Sequence, residues 1–243
     1  AGGGGDPGWS TPDPKAATPT ATAERIDLNQ ANPQWQSAGT MSAPRRHLNS
    51  TILPDGQVLL LDIEGTTTPI AFVHEVLFSY ARTHARDFLR ANFNSTEVST
   101  DIALLHEEHA VDVSKGHHPP ALDEESSVDA IAAYIEWLIE RDRKSTGLKS
   151  LQGKIWRQGY VDGSLKSQVY ADVAPAFERW RADGLSINIF SSGSVLAQQL
   201  LFAHTEAGDL TKFIDSYFDT NVGKKGEAES YRRIAEALKL NAT

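Results

Sequence analysis

Two acidic residues at the end of an apolar run have the types and the spacing that a chemical step needs. The run is Val58–Leu61, and Asp62 and Glu64 follow it, just before the turn-forming stretch 65–69. An aspartate at the tip of a buried strand can attack phosphorus and form an aspartyl-phosphate, which divides one difficult displacement into two easier steps. Glu64, two residues further on, can protonate the leaving oxygen and then activate water.

The same carboxylates predict a metal site. Two acids this close repel each other in their ionised forms unless a cation lies between them. Oxygen ligands near a phosphate group suit Mg²⁺. We therefore expect Asp62 and Glu64 to be catalytic residues and metal ligands, with Mg²⁺ as the cofactor.

Three residues in the second half of the chain could bind phosphate. Ser191 and Ser192 precede a Gly-Ser pair at the predicted N-terminus of a helix, where hydroxyl and amide groups bind anions. Lys225 would neutralise the remaining charge on the transferred group. The formal charge of the chain is -9, so an anionic substrate would need such local positive groups to overcome the repulsion by the global field.

Each of these candidates also has a purely structural reading. Asp62 and Glu64 could be polar residues that end a strand and begin a turn. Ser191 and Ser192 could be ordinary helix N-caps. Lys225 follows another lysine, so it could be solvated surface charge.

Alternation of strands and helices would position these candidates. After Tyr170 the chain alternates short apolar strands, in 185–190 and 213–222, with helices. Such alternation predicts a parallel sheet whose strand carboxyl ends carry the functional residues. We therefore predict an α/β fold with a Rossmann-like parallel sheet, in which Asp62 and Ser191 both lie at strand carboxyl ends.

The region between the acidic pair and these strands is predicted to be mostly helical. One helix is expected from Phe72 to about Phe93, and an apolar stripe at helical spacing predicts another in 127–144. Ser126, three residues ahead of Asp129, is expected to form a capping box for the second helix. Pro175 is expected to open a later helix.

The segment 32–57 resembles one kelch-type repeat of the galactose-oxidase-like and glyoxal-oxidase-like propellers. The matching residues are Trp35, Met41, Pro44–His47 and Leu53–Val58. A propeller needs several blades, and no second copy of the repeat is found in the sequence. Two short strands, Leu48–Leu53 and Gln57–Leu61, are therefore expected to form at most a hairpin that leads into Asp62.

The acidic motif resembles the first motif of the haloacid-dehalogenase-like phosphatases. Asp62–Thr66 matches it, with Glu64 where most members have a second aspartate. Longer stretches narrow the resemblance to the enolase-phosphatases of methionine salvage, over about 58–238. These stretches are residues 59–78, 142–160, 189–210 and 218–238.

The resemblance implies a Mg²⁺-dependent monomer with a small-molecule phosphate substrate. It would enolise 2,3-diketo-5-methylthiopentyl 1-phosphate and then remove the phosphate to yield an acireductone. Carried over by position, Asp62 is the nucleophile and a metal ligand, and Glu64 is the acid/base and a metal contact. Ser191, Ser192 and Lys225 bind the substrate.

The resemblance also implies a division into domains. The core of the phosphatase would comprise 58–69 and 166–243, and a helical cap in 70–165 would close over the site and exclude water. The kelch-like fragment would occupy 32–57. Residues 1–31, rich in Gly, Pro, Thr and Ala, are expected to be a flexible tail.

A fourth family motif is expected after the last predicted helix, near Leu240. A family member continues there into an apolar strand whose final aspartate is the third metal carboxylate, whereas this chain stops at Thr243. The resemblance therefore implies a C-terminally truncated chain with an incomplete sheet, weak metal binding and reduced turnover. The edge of Val58–Leu61 would be open unless the kelch-like hairpin covers it.

Other polar and aromatic residues are given structural roles. Four histidines in polar segments are expected at the surface rather than at a metal: His106, His109, His117 and His118. Trp137, Trp156 and Trp180 are expected to pack in the core or the cap. Asp215 and Asp219 are expected to be polar residues at strand ends rather than a replacement third ligand.

Composition excludes several functional classes. The chain has no cysteine, which excludes disulfides and thiolate nucleophiles. Its net negative charge argues against nucleic acid, and no apolar run approaches the ~20 residues that span a membrane. No secretory signal is visible, so we expect a cytoplasmic protein, with the nucleus as an alternative in a eukaryote.

Three functional hypotheses follow from these observations. The chain is a working enolase-phosphatase, a truncated and catalytically impaired relative that still binds phosphate compounds, or a non-enzymatic propeller fragment. The phosphatase resemblance covers roughly six times more of the chain than the kelch resemblance does. We therefore set the third hypothesis aside first.

Overall fold

The described part of the chain forms two compact units. The computed structural model describes residues 58–123, 127–141, 143 and 145–240, and the backbone of the strands Thr20–Ile26, Trp35–Arg45 and Ser50–Ile52. One unit combines Ala1–Ile70 with Ser167–Thr243, and the other is Ala71–Lys166. No helix among the described residues has both the length and the apolar character needed to cross a bilayer.

A small open sheet forms the centre of the first unit. Its order is β3 (Ser50–Ile52), β4 (Val58–Leu61), β5 (Ser186–Phe190) and β6 (Ser216–Phe218). Strands β4, β5 and β6 are parallel, and β3 lies antiparallel on the outer side of β4. The predicted α/β fold with a parallel sheet is thus confirmed.

The central strands are continuous apolar runs because they are buried. The four residues of β4 are only 3–6% exposed, and Ile187 and Ile189 of β5 are fully buried. The sequence of a parallel strand that is covered on both faces is an unbroken run of apolar residues, whereas a half-exposed strand alternates apolar and polar residues. The register pairs Leu61 with Ile189, so β4 and β5 end side by side.

The strand β3 pairs with the Asp62 strand through a short antiparallel ladder. Ser50 lies opposite Leu61 and Ile52 lies opposite Leu59. Two antiparallel strands were expected here, and they are shorter than Leu48–Leu53 and Gln57–Leu61. The turn predicted between them lies outside the described residues, and the likeness to a kelch repeat stays a prediction.

A separate two-stranded sheet lies nearer the start of the chain. Its strands β1 (Thr20–Ile26) and β2 (Trp35–Arg45) are antiparallel, with Ile26 opposite Trp35. The expectation of a flexible tail in 1–31 is therefore wrong for β1. Its sequence, TATAERI, alternates threonine with alanine, and β-branched threonine favours strands when a partner strand is present.

In the described part of the first unit, three α-helices accompany the sheet. They are α5 (Val173–Ala182), α6 (Val195–Ala203) and α7 (Ala228–Ala237). Leu60, Phe190, Phe218 and Ile234 form one buried cluster, which joins the three parallel strands to α7. The loop that contains Lys225 comes just before α7. Because Ile234 anchors α7 in this cluster, the cluster also anchors the end of that loop.

The regular elements described in the second unit are all helices. Its elements are a π-helical turn (Phe72–Leu77), α1 (Phe78–Asn92), α2 (Thr96–Ser114), α3 (Val128–Glu140) and α4 (Thr146–Val161). The apolar stripe predicted for α3 is its buried face, which includes Ile131, Ile135 and Leu138. Trp156 is buried and donates its Nε1 proton to the carbonyl oxygen of Leu77 at 2.9 Å.

Two predicted helix starts differ from the structure. The N-cap of α3 is Ser127, not Ser126, because the helix begins at Val128 and the Ser127 hydroxyl accepts the amide of Ala130 at 3.3 Å. The helix α5 begins at Val173, two residues before Pro175. Proline is tolerated there because the first-turn amides of a helix have no partner inside it.

His109 is buried rather than exposed, so the surface prediction for it is wrong. Only 8% of it is accessible, and its Nε2 lies 2.8 Å from the carbonyl oxygen of Pro120. It lies four residues after Leu105 and three before Asp112, on the buried stripe of α2. That spacing is the signal in the sequence that identifies it as an interior residue.

A buried polar network crosses the same helices. Asp112 is 3% exposed, accepts a hydrogen bond from the Tyr134 hydroxyl at 2.9 Å and pairs with Arg143. Burial, together with this hydrogen bond, raises the pKa of Tyr134 above its ordinary value, so the phenol remains a donor. The network satisfies a charge that would otherwise be costly to bury.

Truncating the cluster under the strand ends should destabilise the protein. We expect Ile234→Ala to lower the free energy of unfolding by about 2–5 kcal/mol, because it removes a fully buried side chain and leaves a cavity. Urea denaturation followed by circular dichroism measures this loss. Arg232→Ala is the control on the same helix, since its exposed side chain pairs only with Glu229 and should contribute within about 0.5 kcal/mol. Equal losses for the two variants would contradict the described packing.

Candidate active site at the carboxyl edge of the sheet

Asp62 lies at the tip of β4 and is held from two sides. Its Oδ1 accepts the amide proton of Ile63 at 2.7 Å, and its Oδ2 forms an ion pair with Lys225 Nζ. The Asp62 side chain is 13% exposed and that of Lys225 is 29% exposed. The aspartate is therefore largely shielded, yet still open to a small solute.

The turn after Asp62 is closed by its own backbone. The carbonyl oxygen of Ile63 accepts amide protons from Thr66, Thr67 and Thr68 at 3.0–3.1 Å. Gly65 has φ 72°, a left-handed conformation that glycine adopts without strain, and its amide donates to Thr68 at 2.8 Å. The turn therefore fixes the direction of the chain immediately after the aspartate, with Glu64 half-buried inside it.

The segment that contains Ser191 and Ser192 begins where β5 ends. Ser191 is 3% exposed, and its amide donates to the carbonyl oxygen of Phe218, at the end of β6, at 3.1 Å. The N-cap of α6 is Ser194, whose hydroxyl accepts the amide of Ala197 at 3.3 Å. The structural alternative for Ser191 and Ser192, that they cap the helix, therefore does not hold.

Lys225 is placed by a loop between β6 and α7. Gly223 has φ 130°, and a Cβ atom there would come within 2.2 Å of Ser230 Oγ. The Ser230 hydroxyl is buried in α7 and donates to the carbonyl oxygen of Lys224 at 2.8 Å. Close packing of this loop on α7 thus directs the lysine that follows.

The two adjacent lysines have different environments. Lys224 is 84% exposed and approaches Glu227 at 3.8 Å, as an ordinary surface charge. Lys225 pairs with Asp62, and its Nζ lies 6.0 Å from the centroid of the Phe190 ring, at the outer limit of a cation–π contact. Of the two adjacent lysines, Lys225 is therefore the one that contacts Asp62.

The edge therefore brings most of the predicted residues to neighbouring strand ends. Asp62 and Lys225 are in contact, and Ser191 follows the strand that is paired beside the Asp62 strand. The amino end of α6 also begins here, and it adds the positive end of a helix dipole to the charge of Lys225. Lys225 and the end of α6 are the positive groups that an anion would approach here, in a chain whose net charge is -9.

The carboxylates fit a metal that needs few protein ligands. No group of three or more potential metal-binding side chains is found within the described part of the chain. Mg²⁺ is commonly held by one or two carboxylates together with water and substrate phosphate. Asp62 and Glu64, separated by one residue on a fixed turn, supply that number of hard oxygen donors.

Asp215 lies away from this edge. Its Oδ2 accepts hydrogen bonds from Ser186 Oγ at 2.7 Å and from the Ile187 amide at 3.1 Å, both at the start of β5, and it pairs with Arg181 at 2.7 Å. Asp219 does follow β6, and its Oδ1 accepts the amide of Asn221 at 2.9 Å. Both aspartates therefore have the structural roles expected of them.

Two buried polar residues of the site were not identified in the sequence. Ser230 holds the Lys225 loop, and Gln198 donates to the carbonyl oxygens of Gly193 and Phe218. Each lies on the apolar stripe of its helix, since Ile234 is four residues after Ser230, and Leu201 is three after Gln198. A polar side chain on an apolar stripe is the signal that could have revealed them.

Comparison with known proteins places this arrangement in a family. The family model described as haloacid dehalogenase-like hydrolase matches residues 57–243. The chain is 58% identical to Enolase-phosphatase E1 from Synechococcus elongatus, over 74% of each chain. It is 47% identical to the protein of that name from Drosophila melanogaster, over 75% of this chain and 71% of the relative, and 44% identical to the one from Danio rerio, over 75% and 73%.

A solved structure shares this fold. The crystal structure of the UTR4 protein from Saccharomyces cerevisiae superposes with a TM-score of 0.58 and 35% identity, over 75% of this chain and 76% of that one. The match with the family model covers more than half of the chain, including the three parallel strands and the helical unit. The chain therefore belongs to the haloacid dehalogenase-like hydrolases and, within them, to the enolase-phosphatases.

Proposed function

We propose that this chain enolises 2,3-diketo-5-methylthiopentyl 1-phosphate and then removes its phosphate, which yields an acireductone in methionine salvage. The name of its relatives contains both activities. The observation that carries the phosphatase half is the contact between Asp62 and Lys225 at the carboxyl end of a central parallel strand.

Asp62 and Glu64 divide phosphate transfer into two displacements. In the first, a carboxylate oxygen of Asp62 bonds to phosphorus while the bond from phosphorus to the substrate oxygen breaks, and Glu64 donates a proton to that oxygen. In the second, Glu64 takes a proton from water, whose oxygen attacks phosphorus. Inorganic phosphate leaves, and the Asp62 carboxylate is restored.

Lys225, Ser191 and Ser192 hold the phosphate group during both displacements. Lys225 is already within contact distance of Asp62, so its charge lies where negative charge develops during transfer. Ser191 and Ser192 lie at the end of β5, beside the helix N-terminus, where hydroxyl and amide donors face an anion. The net charge of the protein does not attract the substrate, so these local donors provide its binding.

Asp62 and Glu64 also hold the cofactor, for which we propose Mg²⁺. When bound, it neutralises part of the charge of the phosphate and of the two acids. The helical region 70–165 acts as the cap in this proposal, and the enzyme works as a monomer in the cytoplasm.

Removing the nucleophile should abolish phosphate release. For Asp62→Asn we expect a loss of kcat on the order of 10³-fold or more with a generic phosphomonoester, because the amide cannot form the aspartyl-phosphate. Release of inorganic phosphate over time measures this. Asp215→Asn is the matched control. It removes a carboxylate that contacts the start of β5, at the opposite edge of the sheet from Asp62, so it should retain most of the activity. Equal rates for wild type and Asp62→Asn would refute the nucleophile.

The Lys225 loop should be sensitive to a single methyl group. We expect Gly223→Ala to raise KM by roughly tenfold, because the new Cβ would strain a left-handed residue and push against Ser230. Gly226→Ala in the same loop has nothing within 4 Å of its Cβ and should keep KM near the wild-type value. Steady-state kinetics on both variants, with their melting temperatures, tests the placement of Lys225. A KM unchanged by Gly223→Ala would argue against it.

The divalent cation should be required and selective. Treatment with a chelator, followed by its removal, should bring phosphate release to near background, and added Mg²⁺ should restore it. Ca²⁺ should restore less, because it prefers six to eight flexible oxygen ligands, whereas two carboxylates and water suit the octahedral geometry of Mg²⁺. Full activity in the chelated and desalted protein would exclude the metal from the reaction.

A further inference from the structure

Gln198 is a buried amide that ties the predicted phosphate-binding loop to the sheet. It is 1% exposed on α6. Its Nε2 donates to the carbonyl oxygen of Gly193 at 2.8 Å and to that of Phe218 at 2.9 Å. The amide of Ser191 donates to the same Phe218 oxygen at 3.1 Å. One side chain therefore links the middle of the loop, its helix and the neighbouring strand end.

The bond to Gly193 sets the direction of the next amide. In a trans peptide the C=O and the following N–H point in opposite directions within one rigid plane. Because Gln198 holds the Gly193 carbonyl toward the interior, the amide proton of Ser194 is directed away from it. An anion held at the amino end of α6 lies on that outer side. Gln198 thereby orients the backbone amide of Ser194 and does not itself donate to the anion.

The Gln198 side chain has an energetic disadvantage that packing does not explain. Its Oε1 is buried and has no hydrogen-bond partner among the described residues. Leaving a buried acceptor unpaired is unfavourable, and methionine would fill a similar volume without an unpaired acceptor. What glutamine provides and methionine cannot are the two hydrogen bonds from Nε2, one of which reaches the loop.

We infer that Gln198 is a positioning residue of the active site: its two hydrogen bonds hold the Ser191–Ser194 loop in the conformation that binds phosphate. The inference rests on the proposed function, since it assigns a role in a loop whose ligand is part of that proposal. We therefore expect loss of the Gln198 side-chain amide to weaken anion binding and turnover more than it lowers the stability of the fold.

Asn188 provides a matched control within the same unit. It is also a fully buried amide, and its Oδ1 has no hydrogen-bond partner in the part of the chain that the structure describes. Its Nδ2 donates to Ser186 Oγ at 3.0 Å and to the Leu59 carbonyl oxygen at 3.4 Å, in the interior of the sheet. Asn188→Leu therefore removes a buried amide without changing the loop.

The first test compares Gln198→Met with Asn188→Leu. The dissociation constant for inorganic phosphate, from calorimetry with Mg²⁺ present, should rise roughly tenfold in Gln198→Met and stay within about twofold in Asn188→Leu. With a generic phosphomonoester, KM should rise in Gln198→Met in the same proportion. Melting temperatures of both variants show how much of each change is due to stability alone.

The second test uses Gln198→Glu and pH. An ionised carboxylate has no proton to donate and faces two carbonyl oxygens, whereas its protonated form can donate to one of them. Burial among carbonyl groups raises the pKa of the introduced acid. Its activity relative to wild type should therefore increase severalfold as the pH falls from about 8 to about 5.

The outcomes separate the inference from the proposed function. Gln198→Met with phosphate affinity and KM equal to wild type would overturn the inference and leave the proposed function intact. A wild-type protein that neither binds inorganic phosphate nor releases it from the ester would overturn both. If Gln198→Met does not fold, the Gln198→Glu profile decides, and a relative activity that is constant with pH would overturn the inference.

Discussion

The ion pair between Asp62 and Lys225 is the contact on which the rest of the site depends. It joins residues that are 163 positions apart. The pair exists because β4 ends at Asp62 and because the loop before α7 returns to that same end. The ion pair and the amide of Ile63 fix the orientation of a partly shielded carboxylate, and a nucleophile needs a fixed orientation.

Few elements are needed to hold this pair, and each acts through backbone geometry. Three amides of the turn after Asp62 donate to the carbonyl oxygen of Ile63. The loop before Lys225 is held by the hydroxyl of Ser230. The ends of β5 and β6 are cross-linked through the Phe218 carbonyl. Loops are normally the most mobile part of a fold, so these internal bonds give the site the preorganisation that electrostatic catalysis requires.

Local sequence patterns predicted the parts of this protein that local physics controls. The apolar run before Asp62 was correctly interpreted as a strand, and the helical stripe around Ile135 as a buried face. Errors occurred where a partner outside the pattern was decisive. The strand Thr20–Ile26 was missed because its ladder is made with β2. His109 is a different case, because its spacing from Leu105 and Asp112 already places it on the buried stripe of α2.

Residue types and spacing were sufficient to predict the acidic pair, the serine-rich loop and the α/β class. Strand ends, turns and helix starts depend mainly on short stretches of sequence, which explains this. Which lysine pairs with Asp62, which serine caps α6 and which oxygens accept from Gln198 depended on the folded chain. Adjacent residues have nearly the same local propensities, but they point in different directions, and only the packing of distant elements determines which of them reaches the site.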